Sequence, residues 1–339
     1  MSTVALSRPG VATRGARLAG SPVLRLIGKR LLMAVPIVLG VSILTFWVLS
    51  LIPGNAAQQL LGPEATPQQV RQLELQLGLD KSGPTRYLEW LRGAVTGDFG
   101  KSLVSGQSVG DLMTSRLAVT GELVGLAFVV SLGLAVPLAL VAARRPGGVI
   151  DRVSMVVSTT GLSVANYVLA LVLVLIFAVK LGVLPAIGYA RLTDGLGPNI
   201  TSLVLPSAAI GIPLFCFYTR FLRGDLVDQM QGEEYVTTAR AKGIGPWQVL
   251  LRHAFRNSSF GLLTVVGLNL GTLIGGTVIV EQIFALPGLG QLLLQSINTR
   301  DAVVVQAAVV VFAVVAVAAN LVVDILYAVL DPRIRYGSR

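Results

Sequence analysis

The chain has 339 residues, of which 53% are hydrophobic and only 13% are charged, and its mean hydropathy is +0.75. Soluble globular proteins carry about 25% charged residues, so a single water-soluble core cannot bury this much apolar surface, and the excess must face lipid. The single cysteine, Cys216, excludes an internal disulfide, and the single histidine, His253, excludes a metal cluster built from Cys and His.

Six apolar stretches are long enough to cross a bilayer, which takes about 20 residues for about 30 Å of hydrocarbon. They lie near residues 31–52, 117–143, 153–179, 203–222, 260–283 and 302–330. The fourth is the weakest because Pro206 and Pro213 interrupt it, although neighbouring helices satisfy the carbonyls that a membrane proline frees. The first follows a basic stretch, but its length favours an uncleaved anchor over a signal peptide. An all-α, polytopic membrane protein with six transmembrane helices is predicted.

The spans divide the chain into segments on two sides of the membrane. We predict an N-terminal segment (1–30), a first transmembrane helix (31–52), an extracytoplasmic subdomain (53–116), a transmembrane core (117–330) that includes a cytoplasmic loop (223–259), and a tail (331–339). Most of the 27 basic residues then lie in the segments shared with the N-terminus, which the positive-inside rule places in the cytoplasm together with the C-terminus. The net charge of +10 is therefore interpreted as a topology signal of a cell-membrane protein, in preference to nucleic-acid binding.

The extracytoplasmic subdomain contains two predicted helices. Thr66 suits an N-cap and Pro67 a first helical position, while Gly78 suits a C-terminal stop. Apolar residues between them share one face: Val70, Leu73 and Leu77. Pro84 opens a second predicted helix through Trp90. A folded cap over the external mouth is favoured over a solute-binding role for this segment alone.

Gly100-Lys101-Ser102 resembles the end of a phosphate-binding loop, but the pattern fails. It requires a glycine five positions before Gly100, where this chain has Val95, and no predicted strand precedes it. We therefore predict that the chain does not itself bind ATP. The sequence also offers no nucleophile–base pair or metal-ligand cluster that can be placed together, so no catalytic site is predicted.

A short amphipathic helix is predicted in the cytoplasmic loop. Glu233 and Glu234 lie at its N-terminus and Arg240 and Lys242 near its C-terminus, which complements the helix dipole. Gly243 suits the left-handed position that ends a helix. On these residues alone, a solvated loop helix without a partner is an equally good interpretation.

At this loop the sequence resembles the permease subunits of ABC-type importers, in the dipeptide and oligopeptide branch. That family's loop contains Tyr-x-x-Thr-Ala-Arg-Ala-Lys-Gly, and the matching residues here are Tyr235, Thr238, Ala239, Arg240, Ala241, Lys242 and Gly243. Further motifs match in order between residues 28 and 336: Pro53-Gly54, Gly97–Ser102, Arg116-Leu117, Leu184-Pro185, Arg252-His253-Ala254, Asn257, Glu281, Pro287–Gly290, Arg300-Asp301, Asp324 and Asp331-Pro332-Arg333.

The chain also departs from the family pattern at several positions. Thr237 and Thr238 occupy the first two positions of the general importer motif Glu-Ala-Ala-x-x-x-Gly. Ser163-Val164-Ala165 lacks the proline that the family commonly has near the third span. These departures concern helix geometry and substrate preference.

The resemblance implies a type I ABC importer permease fold and a transport subunit, not an enzyme, that forms half of a translocation pathway for peptides. Implied partners are a second homologous permease in a heterodimer, two ATPase subunits that carry ATP and Mg, and an extracytoplasmic solute-binding protein. No cofactor or metal is expected on this chain. A same-family permease for nickel or glutathione remains an alternative, as does an ion-driven secondary transporter from a different class.

The resemblance also implies that the loop helix docks on an ATPase subunit. The residues implied in this coupling are Glu234, Tyr235, Thr238, Ala239, Arg240, Ala241, Lys242, Gly243 and His253. The small side chains of Ala239 and Ala241 are expected to allow close approach, and His253 is expected to brace the loop.

Two sets of membrane residues are candidates for the pathway or an interface. Gly267, Gly271 and Gly275 form a small-residue stripe on span five, for which packing within the subunit is the favoured interpretation. The membrane-depth carboxylates are Glu122, Glu281 and Asp324, for which structural pairing is favoured over substrate contact.

Overall fold

The computed structural model describes residues 22–51, 58, 61–62, 64–76, 78 and 80–330. Most of the predicted N-terminal segment, the whole predicted tail, the Pro53-Gly54 motif and Leu77 lie outside the described residues. In the described part, the only β-type pairing is an isolated bridge between Lys101 and Ser108. The predicted all-α fold is confirmed.

The helices follow one another in this order along the described part of the chain. They are α1 (Pro22–Leu51), α2 (Pro67–Gln76), α3 (Gly83–Thr96), α4 (Val109–Arg144), α5 (Val149–Ser163), α6 (Asn166–Leu173), α7 (Leu196–Gly232), α8 (Glu234–Ala241), α9 (Pro246–Val249), α10 (Phe255–Ile283), α11 (Leu289–Asn298) and α12 (Ala302–Leu330). Helix α6 continues as a wider π-helical turn over Val174–Lys180, and α9 continues through another, Leu250–Ala254, into α10.

Within the described residues, four helices are long and apolar enough to cross a membrane unbroken: α1, α4, α7 and α12. Two bent helix pairs bring the number of spans to six. The first pair is α5 with α6 and its π-helical turn, bent by 104°, and the second is 246–271 with 275–283, bent by 62°. The predicted six spans therefore match the structure when each bent pair is one span.

The third span is not the single run predicted over residues 153–179. It breaks after Ser163, where Val164 and Ala165 have extended backbone conformations. The Ser163 hydroxyl donates to the carbonyl of Thr159 at 3.0 Å, a local bond that competes with the helix ladder and bends helices. The chain therefore bends here without the proline that the family commonly has.

The fourth span, predicted to be the weakest, is an unbroken helix of 37 residues at the centre of the fold. Helix α7 contains Pro206 and Pro213, and it is the most buried of the four unbroken spans. It packs along α4 and is also contacted by α5, α6, α8 and α10. Tyr218 of α7 is fully buried, with its ring centroid 6.5 Å from that of Phe128 on α4. Neighbouring helices therefore surround the two prolines.

The segment predicted to be an extracytoplasmic subdomain contains the two predicted helices. The backbone N–H of Thr66 donates to the Gln69 side chain at 2.9 Å, and the N–H of Gln69 donates to the Thr66 hydroxyl at 3.4 Å, so α2 begins as predicted. The second helix, α3, extends beyond Trp90 to Thr96 because the first left-handed residue is Gly97, with φ +86°.

Candidate functional site

Helix α8 is joined to the end of the central helix α7 by one non-helical residue. Glu233 is extended, and its carbonyl accepts hydrogen bonds from the N–H groups of Val236 (3.1 Å) and Thr237 (3.3 Å). The predicted loop 223–259 therefore begins inside α7. The charged residues after position 222 end the apolar stretch of the span, but the helix continues to Gly232. Because a single residue joins the two helices, a displacement of α8 must also move the end of α7.

Gly243 ends α8 in the left-handed conformation predicted for it, with φ +77°. Its N–H donates to the Arg240 carbonyl at 2.9 Å, and the N–H of Ile244 donates to the Ala239 carbonyl at 3.2 Å. These two bonds form a Schellman motif, which satisfies carbonyls that the end of a helix leaves unpaired. The chain turns sharply after α8 for this reason.

One face of α8 packs into a small apolar cluster beneath it. Val236, Ala239 and Val249 form its buried centre, with Ile244 and Met230 packed around them. Ala239 is only 4% exposed within its own chain. Its small size lets α8 lie close to α9.

The opposite face of α8 is exposed. We call it the α8 outer face: Glu234, Thr237, Thr238, Ala241 and Lys242. Arg240 is also exposed, but its guanidinium donates to the Met230 carbonyl at 3.0 Å. Arg240 therefore anchors α8 to the end of α7.

Tyr235 connects three helices at the base of this region. Its hydroxyl donates to the side-chain oxygen of Gln229 on α7 and accepts a hydrogen bond from the amide of Asn257 on α10, at 3.0 Å. His253 is half-buried in the π-helical turn that precedes α10. The loop is thus attached to α10 as well as to α7.

The loop also contacts the end of α4. The guanidinium carbon of Arg144, the last residue of α4, lies 4.8 Å from the ring centroid of Trp247 on α9, within the range of a cation–π interaction. Three span ends therefore meet the α8–α9 region, those of α4, α7 and α10.

The sequence analysis missed an ion pair close to this region. Arg223 of α7 donates to both carboxylate oxygens of Asp151 on α5, at 2.7 and 2.6 Å, and Asp151 also accepts from the backbone N–H of Gly147 at 2.7 Å. Asp151 is 4% exposed. The pair holds the turn between α4 and α5 against α7. The only sequence signal for it is that both residues lie in charged stretches next to predicted spans.

Glu281 is fully buried at the end of α10, where it binds the start of α11. Its carboxylate accepts from the Thr120 hydroxyl at 2.7 Å and from the backbone N–H groups of Gly290 (2.8 Å) and Gln291 (3.0 Å). A carboxylate at a helix N-terminus is favourable because the unpaired N–H groups point towards it. The contacts agree with structural pairing.

The segment Gly100-Lys101-Ser102 has a structural role. The hydroxyl of Ser102 donates to the carboxylate of Asp301 at 2.5 Å, and Asp301 also accepts from the backbone N–H of Val304 in the first turn of α12 at 3.3 Å. Ser102 therefore joins the segment between α3 and α4 to α12. Among the residues that the structure describes, no three His, Cys, Asp or Glu side chains lie close enough to hold a metal ion.

Glu122 joins α4 to the start of α7 and to the segment that precedes α7. It accepts hydrogen bonds from the Tyr189 hydroxyl at 2.7 Å and the Asn199 amide at 3.1 Å. Burial, together with the neighbouring Glu122 carboxylate, raises the pKa of Tyr189 to about 12. The tyrosine is therefore a neutral donor at physiological pH.

Asp324 pairs with the first helix. Arg30 of α1 donates to both of its carboxylate oxygens, from Nε at 2.9 Å and from the terminal nitrogen at 3.1 Å. This bidentate pair joins α1 to α12, its principal neighbour. Structural pairing accounts for this carboxylate too.

The three glycines of the small-residue stripe have different surroundings. A Cβ at Gly267 would lie 2.9 Å from the Cβ of Val323, and one at Gly271 would lie 3.7 Å from the amide of Asn320. A Cβ at Gly275 would meet nothing within 4 Å. The first two positions therefore allow α10 and α12 to pack closely, while Gly275 is open.

Two family descriptions match most of the chain. Residues 135–336 match "Binding-protein-dependent transport system inner membrane component", and residues 23–124 match the N-terminal membrane component of the same transport systems. The two matched ranges contain α8, the buried Glu281 and helices α2 and α3.

Curated relatives cover nearly the whole chain. It is 38% identical over 311 residues to a putative peptide transport system permease protein of Brucella abortus (strain 2308), which covers 92% of this chain and 99% of that protein. It is 35% identical over 308 residues to a probable peptide ABC transporter permease protein of Sinorhizobium fredii (strain NBRC 101917 / NGR234), covering 91% and 98%. It is 36% identical over 308 residues to a glutathione transport system permease protein of Escherichia coli (strain K12), covering 91% and 98%.

Proposed function

This chain belongs to the family of binding-protein-dependent transport system inner membrane components, and from that premise we propose that it forms half of the pathway through which an ATP-driven importer takes up peptides. It is an ABC-type permease and a transport subunit. Family membership excludes the ion-driven secondary transporter considered from the sequence. ATP and Mg belong, in this proposal, to separate ATPase subunits.

The observation that carries the proposal is the attachment of α8. The α8 outer face is exposed, while the buried face, the Arg240 anchor and the Tyr235 hydroxyl hold the helix to the ends of α7 and α10. A helix held in this way transmits a force applied to its outer face. We assign that face to docking on an ATPase subunit.

The route of transmission follows from the packing. Helix α7 lies at the centre of the bundle and contacts α4, α5, α6 and α10, so a displacement of its end reaches most of the spans. The Asp151–Arg223 pair makes α5 follow α7. In this proposal, closure of the ATPase pair on the α8 outer face moves these helices together.

The partners and the orientation complete the proposal. A second homologous permease supplies the other half of the pathway, two ATPase subunits bind on the side of α8, and a solute-binding protein delivers the solute on the side of α3 and α11. Both chain termini lie in the cytoplasm of a cell-membrane protein, which the basic residues of the predicted cytoplasmic segments support.

Peptides are the proposed solutes, because relatives named as peptide permeases cover nearly all of the chain. The relative named as a glutathione permease favours a second candidate, a small peptide-like thiol. Both candidates carry peptide bonds and charged ends.

Two measurements test the function. The chain, solubilised in mild detergent, should co-purify with ATPase subunits encoded by the same cell; their absence under conditions that keep other importers assembled would contradict the proposal. Uptake of labelled dipeptides, oligopeptides, glutathione and nickel chelates, compared in cells with and without this chain, identifies the solute. A chain-dependent uptake of nickel chelates alone would refute peptide transport while leaving the permease assignment intact.

A further inference from the structure

Helix α3 was predicted to belong to a folded cap over the external mouth, and the side of it that faces away from α1 is divided lengthwise into two stripes, exposed except at the half-buried Leu91. The first is apolar and consists of Pro84, Leu88, Leu91 and Val95; the second is polar and consists of Thr85, Glu89, Arg92 and Thr96. Both stripes have the spacing i, i+4, i+7, i+11, offset by one residue, so they run side by side along the helix. Leu88 and Val95 are 59% and 80% exposed.

The third side of α3 faces the protein at α1. The Tyr87 hydroxyl hydrogen-bonds to the Ser42 hydroxyl at 2.7 Å, and the ring of Tyr87 lies 5.4 Å from that of Phe46. A Cβ at Gly83 would lie 3.9 Å from the same Phe46 ring. The first turn of α3 is therefore packed on the membrane helix α1.

The contacts with Phe46 and Ser42 give the level of α3 along α1. Gly83 lies against the ring of Phe46, five residues or about 8 Å before Leu51, and the Tyr87 side chain reaches Ser42, four residues or about 6 Å further along α1. The side chains of α1 next to this level are apolar and exposed: Leu44, Trp47 and Val48. The apolar stripe of α3 thus continues the lipid-facing surface of a transmembrane helix.

The polar stripe lies on the other side of the exposed half. Lys81, just before α3, donates to both carboxylate oxygens of Glu89 at 2.8 Å, and both side chains are exposed. Tyr87 and Trp90 stack on the protein side, and such rings are enriched where a membrane meets water. A helix with one apolar edge, one charged edge and aromatic anchors has the composition of a helix that lies in the bilayer interface.

We propose that α3 lies in the lipid headgroup boundary, with Leu88 and Val95 inserted among acyl chains and Glu89 and Thr96 facing water. The occupant of the apolar stripe is membrane lipid, because α3 packs on α1 at a level where the exposed side chains of this transmembrane helix are apolar. The external segment is therefore anchored to the bilayer at α3, independently of which solute is transported.

Nitroxide labels at two pairs of adjacent positions test this directly. Leu88→Cys and Val95→Cys are compared with Glu89→Cys and Thr96→Cys in a Cys216→Ala background of the full chain, in nanodiscs of phosphatidylethanolamine and phosphatidylglycerol. We expect labels at 88 and 95 to collide with oxygen, to lose collisions with a water-soluble nickel chelate, and to report a depth of about 5–10 Å below the phosphates. Labels at 89 and 96 should collide freely with the nickel chelate.

Equal access of the nickel chelate to all four labels would overturn the proposal. Protection of 88 and 95 that appears only after a purified solute-binding protein is added would overturn it as well, in favour of a protein partner. A second pair of variants gives an independent readout. Val95→Asp should lower the Tm in nanodiscs and Thr96→Asp should leave it unchanged, and equal Tm values for the two would also refute the proposal.

Discussion

The carboxyl group of Glu281 occupies the space in which a side chain at Gly288 would begin. The same carboxylate binds the N–H groups of the first turn of α11, so the turn between α10 and α11 folds tightly around it. Position 288 is thus restricted to glycine by contact with a neighbour, since its φ of −96° is accessible to any residue.

Replacing this glycine should destabilise the protein. Gly288→Ala forces the Glu281 carboxylate away from α11, and overpacking of a core typically costs about 1–3 kcal/mol. We expect a lower Tm in detergent, measured with a fluorescent unfolding dye that does not react with thiols. Gly121→Ala is the matched control, because a Cβ at Gly121 would meet nothing within 4 Å. Equal Tm values for the two variants would contradict the tight turn.

Replacing Gly243 should uncouple ATP hydrolysis from uptake. A β-branched side chain at φ +77° is strained by about 1–3 kcal/mol, so Gly243→Val should distort the end of α8. In reconstituted vesicles with ATPase subunits, ATP hydrolysis should continue while solute uptake falls.

Gly245→Val is the control for this change. Gly245 has φ −61° and ψ 149°, the extended conformation that a residue before proline favours, and valine adopts it readily. Gly243→Asn should retain most of the uptake because asparagine tolerates the left-handed region. Normal uptake by Gly243→Val would refute the coupling role.

Two alanines of α8 should differ in their access to an ATPase subunit. Ala241 is exposed on the α8 outer face, whereas Ala239 is buried. Ala241→Cys should therefore form a cross-link to an ATPase subunit with a short bifunctional thiol–amine reagent, and Ala239→Cys should not. The native Cys216 is buried and serves as an internal unreactive thiol. Cross-linking of both cysteines to the same extent would place the docking surface elsewhere.

Breaking the Asp151–Arg223 pair should destabilise the bundle. Removal of one partner from a buried pair costs about 3–5 kcal/mol, and the one-fifth exposure of Arg223 places this site at the lower end of that range. Asp151→Ala should lower the Tm more than Asp151→Asn, because asparagine still accepts from the N–H of Gly147. The exposed Asp80, which lies outside α5 and α7, provides the control, Asp80→Asn, which should have little effect. A Tm for Asp151→Ala equal to that of this control would contradict the role of the pair.

Local signals in the sequence predicted the features that depend on neighbours along the chain. The length of the apolar runs gave six spans, Thr66 and Pro67 gave the start of α2, and Gly243 gave the end of α8. Pro206 and Pro213 interrupt the apolar stretch of the fourth span but do not break its helix. The fourth span was therefore predicted to be the weakest although it is the central helix.

Contacts between distant parts of the chain could not be predicted in the same way. Asp151 and Arg223 are 72 residues apart, and Thr120 and Glu281 are 161 residues apart. The burial of Ala239 could not be predicted, because a small side chain suits both close docking and close internal packing. The bend after Ser163 lacks proline, so its usual signal was missing.

The bond between Ser102 and Asp301 joins residues separated by 199 positions. A ribosome makes Ser102 long before Asp301, and chains fold from the N-terminal side as they are synthesised. Until synthesis reaches Asp301, the Ser102 hydroxyl cannot form this bond. This end of the permease is therefore closed late, when α12 enters the membrane, and a nascent chain truncated before Asp301 lacks the contact.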